Sequence, residues 1–376
     1  MKCLKRTIAA VITAMVLMLI PCFVFAANEN PDEFEADTKK AALENAPDSV
    51  KNYYSYNTER QNKNTFSFRD IAEIVKEELG DREELMKTPV TIFGLVIAVC
   101  LMYSILTGMT SVRIMPQNIT VKVSVCIAVA LTVSAGVINL LQTTLATIET
   151  SRKFVLGFVP VFSGIMISGG SIGSAALYGS ALIGLSAAIS EIVALIVKPL
   201  IGIMIGLSVV AGIYDNGFYS LVSAIKRTVM WILGISTSVF LGLVKLQTIV
   251  ASKGDSFAFR TSRFIVGSAI PVIGSSVSEA LSTVTGGLSV IKSTTGIIGV
   301  ISLCAIFIPQ IINCVLSGMS LYFASVIGEM IGAAEPANAV RSIKSCIDIM
   351  IAVLALYFMI IVICTAVMMN VGVNAS

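Results

Sequence analysis

The chain has no histidine, and charged residues make up only 13% of its 376 positions. The first absence removes the commonest general base and the commonest metal ligand together, which leaves catalysis weakly supported. The second is about half the charge of a soluble domain, and with 56% hydrophobic residues it identifies an integral membrane protein. Strand-like alternation is also missing, which argues against a β-barrel. No phosphate-binding GxxxxGK[ST] and no HExxH occurs, so coupling to nucleotide hydrolysis would need another subunit. The eight cysteines show no CxxC spacing. Six of them, Cys100, Cys126, Cys304, Cys314, Cys346 and Cys364, lie in or beside apolar runs and read as small buried hydrophobes. No cofactor is expected.

What is present is apolar helix. Candidate spans run over about 90–109, 123–145, 176–197, 199–213, 228–246, 296–317 and 347–369, each near the roughly 20 residues a bilayer requires. Three weaker, Gly- and Ser-rich segments lie at 154–175, 264–291 and 319–334. The fold class is therefore all-α: a polytopic helical membrane protein with about 7–10 membrane segments, including candidate re-entrant hairpins.

Before the spans, residues 1–26 place Lys2, Lys5 and Arg6 ahead of an apolar stretch ending in Val24-Phe25-Ala26, the order of a secretory signal peptide; an uncleaved first span is the alternative. Pro21 argues against a lipoprotein box before Cys22. Residues 27–87 form an expected exported segment with 15 acidic and 9 basic residues, largely flexible up to Asn64. Within it Ile71, Ile74, Val75 and Leu79 share one stripe of a short amphipathic helix. Residues 88–376 make the multi-span domain. Export of the amino terminus sends Val90 to Met109 into the cytoplasm, which Arg113 and Lys122 in the next loop support.

The two halves echo each other, over about 122–225 and 226–345, before the final span at 347–369. Leu141-Gln142-Thr143 matches Leu246-Gln247-Thr248, and Arg152 followed by Pro160 matches Arg263 followed by Pro271. Pro199 and Pro309 interrupt corresponding spans, and "SAIKRTVM" at 223 recurs loosely as "RSIKSCID" at 341. Two internal repeats are common in membrane transport folds, and each unit here is expected to hold a span, a charged turn, a hairpin and a broken pair of spans.

Ionisable residues within spans are costly and count as functional candidates. Glu191 and Lys198, seven apart on one helical face and followed by Pro199, could form a coupled pair or mark an interfacial turn with both charges reaching water. Glu279 and Lys292 bracket Gly286-Gly287, and Glu329 sits in the Gly-bounded "SVIGEMIGAAEP"; each faces a polar path or marks a segment that never crosses. Asp348 opens the last span at an interface. Gly202 and Gly206 form a GxxxG suited to close helix contact. For the small residues of 261–287, helix packing and cavity lining weigh equally.

The paired "SRKFVLGFVPVFSG" and "SRFIVGSAIPVIGSSVSEALSTVTGG…STTGIIG", with the acidic amino-terminal region, resemble the stage III sporulation protein AE family of endospore-forming bacteria. That resemblance implies a non-enzymatic component of the mother-cell half of the channel joining mother cell and forespore. It also implies other stage III sporulation membrane proteins, a cytoplasmic ATPase and, indirectly, a forespore membrane protein as partners, alongside membrane lipid and no nucleic acid. Two other readings stay open: an autonomous solute transporter coupled through Glu191, Lys198 and Glu279, and a scaffold that recruits partners through the exported segment.

Overall fold

A computed structural model describes the backbone of residues 84–111, 119–168, 171–213, 217–269 and 274–370, with a few residues between 43 and 51. The expected signal peptide, the amphipathic helix around Ile71 and Pro271 lie outside the described residues, as do the side chains of Arg263, Glu279, Gly286, Gly287 and Lys292.

Among the described residues every element is helical: α1 Glu84–Ser111, α2 Ile119–Ser168, α3 Ile172–Ile192, a π turn Val193–Val197, α4 Lys198–Ile213, α5 Gly217–Ala269, α6 Gly274–Met330 and α7 Ala334–Asn370. Six stretches of the described residues are long and apolar enough to cross a membrane: Pro89–Gly108, Val123–Ser168, Ile172–Ala211, Gly217–Val244, Thr294–Met330 and Ala334–Met369. In lipid a helix satisfies all of its own backbone, which is why so apolar a chain adopts this one element throughout.

Three sequence expectations change. The charged turn expected at Arg152 is not a turn, because α2 runs unbroken from Ile119 to Ser168. No glycine or proline lies between Val137 and Leu156, and Arg152 pairs with Glu149 one turn back, so nothing local stops the helix. The segments 176–197 and 199–213 likewise do not meet in a turn. Pro199 cannot donate to the carbonyl four residues before it, and the helix widens instead of ending: Lys198 N–H bonds Val193 O across the π turn. The segment 319–334 continues α6 to Met330 and holds only the turn after it.

That turn is a tight one. Gly332 adopts φ +88, with Ala333 N donating to Gly328 O at 2.9 Å and Gly332 N to Glu329 O at 3.1 Å. These are the two bonds of a Schellman stop, which needs a left-handed residue and so favours glycine here. Pro336 follows in the first turn of α7, where a missing N–H costs nothing.

The α6–α7 hairpin is the centre of the bundle. Of an 18-residue apolar segment in each helix, 78% is buried in α6 and 61% in α7, whereas only 6% is buried in α5. Small residues permit the approach. A Cβ on Gly299 would strike the Phe158 ring of α2, one on Gly296 would strike Met369 of α7, and one on Gly328 would lie 3.1 Å from Cys100 Sγ of α1. Phe158 is itself held in a stack with Phe154 and Phe162, centroids 5.3 and 5.6 Å apart. Ala46 and Val50, in the segment expected to be largely flexible, are buried in the same core.

The element order repeats. A helix of 50 residues, a break and a helix carrying an internal proline (α2, then α3–α4 with Pro199) is followed by one of 53 residues, a break and a second helix with an internal proline (α5, then α6 with Pro309). Pro160 lies inside α2.

Candidate functional site

The polar groups of the bundle interior sit on helix–helix contacts. Asp348 of α7, 18% exposed, takes two ammonium groups on its Oδ2: Lys226 of α5, and Lys344 one turn earlier on α7 at 2.9 Å. These are the lysines of the two Ile-Lys motifs, Ile225-Lys226 and Ile343-Lys344, which converge on one carboxylate. Lys344 also stands 5.9 Å from the centre of the Tyr322 ring. Charge-assisted bonds of this kind are stronger than neutral ones where water is scarce.

A second contact joins α2 to α6. Gln310, directly after Pro309, donates from Nε2 to Thr143 Oγ1 and Thr144 Oγ1, both at 3.0 Å. Thr143 and Thr144 in turn donate to Leu140 O at 2.9 and 2.8 Å. Thr144 Oγ1 and Cys314 Sγ are 3.7 Å apart. Thr143 of the Leu141-Gln142-Thr143 motif thus supplies an acceptor to the residue after Pro309.

Further along, the hydroxyls of Ser186 on α3 and Tyr357 on α7 share a bond of 2.7 Å. At the α6–α7 turn, Tyr103 of α1 donates to Glu335 Oε2 and Ser104 Oγ to Ile331 O, each at 2.7 Å. Arg341 closes on Glu329 at 2.6 Å, so Glu329 braces the turn.

The residues predicted from sequence are therefore not brought together. Glu191 and Lys198 straddle the π turn, both exposed on the outer surface with Ile192, Leu195 and Ile196 between them. The wider turn rotates one off the face of the other, and they form no ion pair with each other. Pro199, Gly202 and Gly206 are exposed on the same rod, with open space where Cβ atoms would go on the two glycines. Pro160 is exposed on α2, while Arg152 keeps its Nη1 on Glu149 at 3.3 Å.

Gln310, Thr144 and Tyr357 were missed by sequence reading, and the only signals for them were a lone glutamine and tyrosine in apolar runs. Five described cysteines are buried and outside any disulfide, in keeping with their reading as small hydrophobes. Residues 169–173, Gly-Gly-Ser-Ile-Gly, formally match GxSxG, but α2 precedes them, whereas a nucleophile elbow requires a strand.

Comparison with known proteins bears on the whole chain. The family model described as stage III sporulation protein AE matches residues 50–372. A curated relative, "Stage III sporulation protein AE" of Bacillus subtilis (strain 168), is 30% identical over 166 residues, which span 44% of this chain and 42% of the relative. No solved structure matches. The family match covers most of the chain, and with six membrane-length apolar helices the protein is a multi-pass membrane protein belonging to the stage III sporulation protein AE family, with a role in sporulation.

Proposed function

We propose that the protein is a non-enzymatic membrane component of the channel or secretion-like complex between mother cell and forespore. It would reside in the mother-cell membrane around the forespore and act with other stage III sporulation membrane proteins and a cytoplasmic ATPase. Family membership supplies the sporulation setting.

The observation that carries the rest is helix length. α2, α5 and α6 hold 50, 53 and 57 residues. At 1.5 Å per residue that is about 75–85 Å, more than twice the roughly 30 Å hydrocarbon core. Helices of that length, braced by Lys226–Asp348 and Gln310–Thr143, suit a body that stands out of the membrane and meets partners there. Solute coupling through Glu191 and Lys198 gains no support from two unpaired side chains on the outer surface.

The test is deletion of the gene in its host followed by starvation, with a fluorescent fusion tracked in the complemented strain. Forespores arrested after engulfment, with the fusion concentrated in the membrane around them, are expected. Normal spores, or a fusion spread evenly over the cell membrane, would overturn the proposal.

A further inference from the structure

The most buried helix carries polar groups that no protein atom satisfies. On α6, Thr295 Oγ1, Ser302 Oγ, Asn313 Oδ1 and Ser317 Oγ are all inaccessible and have no hydrogen-bond partner. Thr295, Ser302 and Ser317 are 1%, 0% and 1% exposed. At 3.6 residues per turn the four positions fall within about 60° of one another, so they form one line down the helix. From Thr295 to Ser317 that line is about 33 Å long, the thickness of a hydrocarbon core.

Three other buried hydroxyls in the bundle behave differently, although Ser342 of α7 is also unpartnered. Thr144, Ser208 and Thr365 bond back to the carbonyl four residues earlier, at 2.8, 2.7 and 2.9 Å, the usual refuge of a hydroxyl in an apolar helix. The α6 line does not take that refuge.

Its neighbour is α2. The Gly299–Phe158 and Gln310–Thr144 contacts show that α2 and α6 run antiparallel, and they place Ser151 and Arg152 alongside the middle of the line. Ser151 Oγ and Arg152 Nε are themselves buried and unpartnered. Ser151 lies beside the Tyr357 hydroxyl without reaching hydrogen-bond geometry.

Leaving one buried polar group unsatisfied is costly, and a series of them spaced along one face points to a common occupant with both donors and acceptors. Hydroxyl, amide and guanidinium groups together match water, which bridges such groups in protein interiors. We infer that the face of α6 marked by Thr295, Ser302, Asn313 and Ser317 is a hydrated seam: a series of separate bound waters between α6 and its neighbours, interrupted where the Phe158 ring lies on Gly299. The seam suits water and small uncharged hydrogen-bonding molecules. The inference rests on packing alone and holds whichever complex the protein serves.

The experiment uses the full-length protein in lipid nanodiscs. Ser302→Cys and Ser317→Cys are exposed to a small hydrophilic methanethiosulfonate, with modification of each cysteine located by mass spectrometry. The control is Ile301→Cys, equally buried but on another face of α6. The expected result is modification of the seam positions at least about tenfold faster than the control, because solvent already reaches them. Equal rates would overturn the seam. Ser302→Ala and Ser317→Ala give a second readout by thermal unfolding. Loss of a hydroxyl that bonds water lowers Tm, whereas an unchanged or raised Tm means that the hydroxyl was dry and unpartnered, which also overturns the inference.

Discussion

The Lys226 ammonium reaches the Asp348 carboxylate across 122 residues of chain, and that bond ties α5, the most exposed apolar helix, to the central α7. Lys344 shares the same oxygen. Asp348 is therefore the pivot of the group, and the two lysines are not equivalent: Lys344 only braces its own helix, whereas Lys226 joins two.

Asp348→Asn is expected to destabilise the protein by about 2 kcal/mol, since it leaves two partly buried ammonium groups without their counter-charge. Lys226→Met should cost less, because Lys344 still neutralises the carboxylate. Thermal unfolding of both variants in nanodiscs checks the order, and equal effects would show that Asp348 is not the pivot.

Gly299→Ala should cost about 1–3 kcal/mol, the range for overpacking a filled core, because the new methyl must displace a ring fixed in the Phe154–Phe158–Phe162 stack. Gly296→Ala meets Met369 from Cγ to Cε, an unbranched side chain that adapts more readily than a stacked ring, and should cost less. Phe158→Leu in the Gly299→Ala background is expected to recover part of the loss, a coupling that a double-mutant cycle measures.

Gln310→Leu is expected to cost only about 1 kcal/mol. Thr143 and Thr144 keep their bonds to Leu140 O when the amide goes, so neither is stranded. A loss several times larger in thermal unfolding would mean that the amide holds the α2–α6 contact by itself.

Glu191→Gln and Lys198→Met should leave stability within about 0.5 kcal/mol of the parent, the usual range for exposed substitutions. Spore counts from strains carrying either variant are expected to match the parent. A sharp fall at normal protein level would restore the coupled-transport reading.

The sequence by itself determined that this is an apolar all-helical membrane protein. Scarce charge and long apolar runs follow from local composition. It also determined the sharp stop at Gly332, since only glycine takes that φ without strain. Tertiary structure decided the rest. Whether Pro199 ends a helix or widens it depends on the packing on either side of it, and here a π turn carries the rod through and separates Glu191 from Lys198. That Lys226 and Lys344 share Asp348, that Gln310 meets Thr143, and that Gly299 makes room for Phe158 are pairings between distant stretches of chain. A helical pattern fixes which residues lie on one face, but not which helix that face will meet.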